Sequence, residues 1–587
     1  MPVSDFERWR FLSGLLRYLA RHRGRLLLGF VCILLSNLFL VGTPWVLKKA
    51  IDGLHVALTP ERLLEYAGLI VGLTIMEGIC RFTMRRLLIG VSRDIEYDLR
   101  NDVFEKLEVL AVSFYRRNRT GDLMSRATND LSNVRMLLGP GIMYSVNTIV
   151  TATLVSALMF KISWSLALLT FLPLPFVSYG VRRFGARIHR LTEESQSRLA
   201  DLSARVQESM AGARVVKAFV QEQPEIREFE RLNLALVEKN NEMIRVTSVF
   251  HPIMQITFGV AVVVVLLYGG WQVQTNQITR GDVLAFLVYL GLLAWPMIAL
   301  GWVVNLLERG GASMDRLNHI LEAAPEISDS PNVRQDFTIR GEIEFRNLTF
   351  AYETEPVLRE ISLKIPAGKA VAIVGATGSG KSTLVQLIPR LYNAPPRTLF
   401  LDGVPIEEIP LERLRRSIGF IPQDTFLFGE TVRENIAFGV DNPTDEEVAR
   451  AARISSIDID IEEFPNGFET IVGERGITLS GGQKQRTAIS RAVIRNPRIL
   501  ILDDALSSVD TYTEERILEE LRRVMRDRTS ILISHRVSTV KDADEIIVLD
   551  DGAIVERGSH EALIRRGGYY AELHRRQLLE EELAVSE

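Results

Sequence analysis

Glycines, one lysine and one serine at fixed spacing offer the first chemistry. Gly375, Ala376, Thr377, Gly378, Ser379, Gly380, Lys381 and Ser382 fit GxxxxGK[ST]. A strand-like run, Ala370–Val374, precedes them, and a helix pattern over Thr383–Arg390 follows. That strand–loop–helix setting is what a phosphate-binding loop needs. The glycines let backbone N–H groups turn inward around phosphate oxygens, and the helix start adds partial positive charge. Lys381 is expected to reach the β- and γ-phosphates and Ser382 to ligate Mg2+, with the loop and Thr383 holding the nucleotide. Downstream, Arg498–Asp503 is an apolar strand ending in a carboxylate, which places Asp503 for the Mg2+ shell. Asp504 follows where a general base or water-positioning group would sit. Leu479-Ser480-Gly481-Gly482-Gln483 opens another helix, running to about Arg495. Small residues there leave N–H groups open to an anion. One phosphate loop and two such helix starts suit a head-to-tail dimer, each nucleotide lying between one chain's loop and the other's Ser480–Gln483. Standing alone, the second segment reads more simply as a Gly-rich turn.

The elements around these residues come from two populations. The chain has 587 residues, enough for two or three domains. Its 47% hydrophobic content is concentrated in long apolar runs in the first half, followed by an ordinary soluble mixture. A net charge of −4 argues for no polyanionic partner, so nucleic acid is not expected. Cys32 and Cys80 are too few for a disulfide framework or a zinc cluster. Six apolar segments, roughly 26–47, 64–82, 139–160, 162–181, 252–272 and 282–306, each match the ~20 residues a helix needs to cross a bilayer. No removable signal peptide is evident, and the first segment reads as an anchor. Arginines 17, 21, 23 and 25 precede the first span, Arg81, Arg85 and Arg86 end the second, and Arg182, Arg183 and Arg187 follow the fourth. These ends are assigned to the inner side. Lys48 and Lys49 run against that rule. Glu77 and Arg81 read best as an i,i+4 ion pair. Pro44, Pro173, Pro175 and Pro296 are candidates to kink their spans, and Trp295 is expected between helices or facing lipid rather than lining a cavity.

The inner connections, 83–138 and 182–250, are long, charged and helix-patterned, so the spans are expected to continue as stalks. Their tips are placed near Asn118–Asp122 and Ala211–Arg214, with Gly121 and Gly212 as turn formers. Residues 323–338 have linker composition, and the pattern beyond them is α/β. The predicted fold is therefore multidomain. An all-α six-helix transmembrane domain with cytoplasmic extensions occupies 1–322, a linker 323–338, and an α/β phosphate-loop domain 339–587.

Taken in order, the phosphate loop, Gln423, Leu479–Gln483, Asp503, Ser507–Asp510 and His535 resemble the ATP-binding cassette (ABC) ATPases. With six spans ahead of it, the chain is similar to exporter half-transporters. The resemblance implies ATP and Mg2+ as cofactors, with Tyr352 stacking on adenine. It gives Gln423 a place at the Mg2+ and attacking water, and His535 a contact with the γ-phosphate. It also implies that Ser507–Asp510 meet a partner subunit and that Thr470–Gly476 meet the stalk tips.

One position departs from the family. Glu usually follows the aspartate at 503, and here Asp504 does. Losing a methylene withdraws the carboxylate by roughly 1.5 Å, and misplacement by ~1 Å can cost about 10²-fold in rate. The expectation is an exporter that drives amphipathic small molecules, lipids or peptides across a bacterial cell membrane. This chain would be the slow-hydrolysing half of a heterodimer. A homodimer, a gated channel or regulator, and a membrane-tethered ATPase of other function are the competing readings.

Overall fold

A computed structural model describes residues 10–53, 59–172, 174–331, 333–334 and 337–586. Pro173 and parts of the 50–62 connection and of the 323–338 linker therefore lie outside the described residues. The chain divides into two compact units, one of Met1–Leu107 with Gly121–Glu322 and one of Glu108–Thr120 with Ala323–Glu587.

The first unit is helical. Among the described residues, Arg23–Gly53, Pro60–Val109, Thr120–Ile162, Glu222–Gln274 and Arg280–Leu321 are long and apolar enough to cross a bilayer. The other expected span, 162–181, runs through Trp164–Phe171 and into Leu174–Ala211. Leu64, Phe82 and Leu267 are 76, 65 and 72% exposed. Apolar surface on that scale suits lipid rather than water. Inside, Val155, Met159, Leu166, Val265, Phe286 and Tyr289 form a core, and the Tyr289 hydroxyl donates to the Val41 carbonyl (3.0 Å). Both cysteines are free and buried.

Lys48 and Glu77, which looked anomalous in the sequence, have partners. Lys48 Nζ lies 2.6 Å from Asp282 and over the Trp45 ring. Asp282 also closes a capping box with Thr279 at the start of Arg280–Leu321. The backbone N–H of Gly281 donates to Asp52 (2.8 Å). A Cβ on Gly281 would fall 2.4 Å from the Lys48 carbonyl oxygen, so only glycine permits this closeness. Glu77 pairs with Arg81, as its spacing predicts.

The stalks are helical throughout much of their length. Pro60–Val109 and Glu222–Gln274 span 50 and 53 residues, roughly 75–80 Å at the usual rise. The first tip includes a break within the stretch read from the sequence, but Gly121 does not make it. A short helix, Val112–Arg117, occupies the bend, and Gly121 lies inside the helix Thr120–Ser125. The breaks fall at Leu110–Ala111 and Asn118–Arg119. Asn118, whose amide donates back to the Phe114 carbonyl, ends the short helix without help from glycine. At the second tip Gly212 does precede the short helix Ala213–Ala218.

The second unit holds two sheets. β1 (Ile343–Ala351), β2 (Pro356–Ile365), β4 (Leu399–Leu401) and β5 (Val404–Pro405) form an antiparallel sheet in the order β2-β1-β4-β5. β3 (Ala370–Gly375), β6 (Ile418–Ile421), β7 (Ile499–Asp503), β8 (Thr529–Ile533), β9 (Glu545–Asp550) and β10 (Ala553–Gly558) form the other, in the order β10-β9-β3-β8-β7-β6. All its pairs are parallel except β9–β10. Residues Ile499–Asp503 and Thr529–Ile533 are buried along their whole length, as befits strands covered on both faces. The phosphate loop, Asp503 and Gln423 follow or end three of these parallel strands. Ligands of open α/β sheets bind at such strand ends.

Candidate functional site

The loop after β3 has the backbone its glycines allow. Gly375 has φ +154°, and a Cβ there would lie 2.0 Å from the Leu549 carbonyl oxygen. Gly380 has φ +97°, and its Cβ would meet Leu358 at 2.8 Å. Lys381 is buried, and its ammonium donates to the carbonyls of Gly375 (2.9 Å) and Ala376 (2.8 Å). Burial pushes its pKa down, while Asp503 and Asp504 pull it up. The helix beyond the loop is Lys381–Gln386, shorter than the expected Thr383–Arg390. Arg390 ends up buried at φ +49°, its guanidinium on the Ser328 carbonyl (3.3 Å), and turns replace the last helical residues.

Asp503, at the end of β7, is 1% exposed. Its Oδ1 accepts from the Ser382 hydroxyl (3.0 Å). Its Oδ2 is buried without a hydrogen-bond partner among the described residues, as is Ser379 Oγ in the loop. Burial raises the Asp503 pKa; the Ser382 hydrogen bond opposes that and Asp504 adds to it. A cavity of 180 Å³ gathers Lys381, Ser382, Gln423, Asp503, Asp504 and His535. Thr377, Gly378, Gly380 and Thr383 line it too. An orphaned carboxylate oxygen beside a serine hydroxyl and a glutamine is an oxygen-rich set that suits Mg2+. Asp504 stands at φ +51°, its N–H donating to the Ile533 carbonyl (2.9 Å).

Ser480–Gln483 do not line that cavity. Ser480 caps the helix Gly481–Val493 in a reciprocal box with Gln483. The Gln483 amide also donates to Asp460 (2.9 Å), so this side chain is committed within its own chain. The N–H groups of Gly481 and Gly482, in the first turn, have no intrahelical acceptor. A nucleotide held at the phosphate loop therefore meets half a site here, and an unused helix start faces elsewhere.

Comparison with known proteins closes the matter. The family model for the ABC transporter transmembrane region matches residues 26–297, and that for the ABC transporter matches 358–507. A probable multidrug resistance ABC transporter ATP-binding/permease protein of Bacillus subtilis, YheI, is 38% identical, with 97% of each chain covered. An ATP-dependent lipid A-core flippase of Syntrophus aciditrophicus is 34% identical over 98% of this chain and 96% of its own. A solved bacterial Atm1-family ABC exporter with ATP bound superposes with a TM-score of 0.78 at 29% identity, covering 94% of this chain and 98% of that one. The chain is an ABC exporter half-transporter.

The half-transporter is thus an integral membrane protein that couples ATP hydrolysis to export and works as a dimer. Two of its side chains escaped the motif reading. Gln485, buried two residues beyond the Ser480–Gln483 segment, donates to the Ser507 hydroxyl (3.0 Å) and accepts from the Ser508 N–H (2.9 Å). It ties the signature helix to the loop after Asp504. Asp510, the last residue of that loop, caps the helix Thr511–Met525 by accepting from Thr513 N–H (2.9 Å). Arg116, on the tip helix Val112–Arg117, lays its guanidinium 4.4 Å from the ring centre of Tyr352. The Tyr352 hydroxyl donates to Thr383 (3.1 Å), and its ring meets Tyr392 edge-on. Ser113 and Arg117 of the same helix bond to Glu326. No motif within Val112–Arg117 marks this contact in the sequence.

Proposed function

We propose that this half-transporter holds ATP at its own phosphate loop, hydrolyses it slowly there, and lends Ser480–Gln483 to a faster site on a different subunit. The supporting observation is the divided site: the cavity that contains Lys381, Asp503 and Asp504 has no residue of Ser480–Gln483 on its wall. In this reading residues 1–322 form the membrane path, 323–338 a linker and 339–587 the ATPase. Tyr352 supports adenine; Gly375–Gly380 and Thr383 surround the phosphates; Lys381 neutralises their charge. Ser382, Asp503 and Gln423 would hold Mg2+, which supplies charge neutralisation of the transferred phosphoryl group. Asp504 orients the attacking water and His535 touches the terminal phosphate, but the short Asp504 side chain holds the water too far back. ATP favours closed ATPase units because it binds them better than open ones. The stalks carry that closure to the spans.

The names of the multidrug and lipid A-core relatives point to amphipathic cargo, and their bacterial sources to the cell membrane. Purification with the neighbouring gene's product tests the pairing. Slow ATP turnover by the chain alone and fast turnover by the mixture are expected. Full turnover by the chain alone would replace the heterodimer with a homodimer. ATP-dependent uptake into inverted vesicles separates export from a conductive channel.

A further inference from the structure

In the membrane unit a cavity of 490 Å³ opens among the helices Arg23–Gly53, Pro60–Val109, Thr120–Ile162 and Arg280–Leu321. Its polar wall is rich in donors. Arg81, Arg85, Tyr144, Asn147 and Trp295 all line it, and no Asp or Glu does among the described residues. Trp295 thus faces the cavity, against the expectation from sequence. Arg81 is already neutralised by Glu77. Arg85, one turn further along, has no carboxylate within ion-pair distance among the described residues. Arg85 is exposed at the end of its span, so its guanidinium is open to an anion that enters the cavity.

A fixed polar chain sets the direction of the nearby amide. Asn37 is buried, and its NH2 group donates to the Ile33 carbonyl (2.9 Å) and to Asn147 Oδ1 (2.9 Å). Thr151 donates to Asn37 Oδ1. With its oxygen taken, Asn147 offers the cavity its NH2 group. Leu40, Met84 and Leu292 supply an apolar remainder, and thioether surface adapts to tails of different shape.

We propose that this cavity takes amphiphiles with a single anionic headgroup, a carboxylate or a phosphate monoester. The head pairs with Arg85 and accepts from Asn147, and the tail lies on the apolar wall. The inference names a substrate class for the export reading and rests on it.

The test uses the full-length chain, with any subunit it retains, in nanodiscs of phosphatidylcholine. Three fluorescent amphiphiles sharing one dansyl-undecyl tail are titrated: a carboxylate, a phosphate monoester and a trimethylammonium. Both anions should bind at least about tenfold more tightly than the cation, the worth of a charge-assisted hydrogen bond. R85Q should remove most of that preference and R85K should keep it. The tighter of the two anions distinguishes a fatty-acid-like head from a phospholipid-like one. Equal binding of cation and anions by the unaltered protein overturns the proposal, whatever the folding of R85Q. So does an anion preference undiminished in a folded R85Q. Export itself is read separately, as ATP-driven uptake of the uncharged amide with the same tail. If that uptake fails, the export reading falls while headgroup preference is still measured. Uptake without headgroup preference removes this inference alone.

Discussion

The proposed slow hydrolysis turns on one methylene at Asp504. D504E should raise phosphate release from the site built on this chain's loop by about 10- to 100-fold, read in a dimer whose other site is silenced. An unchanged rate would mean that something other than the reach of that carboxylate limits hydrolysis. In the proposed head-to-tail dimer Gln485 supports the other site. Q485L keeps the bulk and removes both hydrogen bonds to Ser507 and Ser508. It should slow turnover at the site completed by Ser480–Gln483 by about tenfold, while photolabelling of this chain by azido-ATP continues. The phosphate loop, Ser382 and Asp503 could be picked out in the sequence because each sits in a local pattern, a GxxxxGK[ST] loop or an apolar strand ending in a carboxylate. Gln485 and Arg116 could not, because their partners lie 22 and more than 200 residues away, and no local pattern announces a contact of that kind.

Between elements, the last two helices of the chain carry a titratable joint. His560 Nδ1 lies 2.8 Å from the hydroxyl of Tyr570, which is fully buried with its pKa pushed up to about 12. The phenol keeps its proton, and the two side chains share one hydrogen bond. Burial, then the neighbouring His574 and Lys541, hold the His560 pKa below its ordinary 6.5. The folded protein therefore binds fewer protons than the unfolded chain as pH drops below that value, and stability declines there. Thermal unfolding of the ATPase unit within the full chain should show this loss as a falling melting temperature, and H560Q should flatten it. Lys48 teaches a different lesson. Loop-charge counting left it on the wrong side of the rule because counting ignores pairing, and Asp282 supplies the pair. K48M leaves Asp282 buried beside an apolar side chain and should cost about 2–4 kcal/mol, seen as a lower melting temperature.

Across the chain as a whole, apolar length and strand–helix alternation were enough to separate a membrane half from an ATP-binding half. The first tip falls within the stretch read from the sequence, but Asn118, bonding to its own backbone, ends the short helix there, and Gly121 does not make the turn. Dimer architecture yields a test in trans. S480R puts a bulky cation where a partner's nucleotide would be capped. In the assembled transporter it should abolish most ATP turnover while this chain still binds ATP at its own loop, measured by azido-ATP labelling. Unaltered turnover would break the head-to-tail arrangement. The closeness of Gly281 to Lys48 and Asp52 has a mechanical corollary. Hydrogen bonds and an ion pair fasten Arg23–Gly53 to Arg280–Leu321 at that end. An opening between these two helices at that end would have to break all of those bonds at once, so any exit there must run along a seam other than theirs.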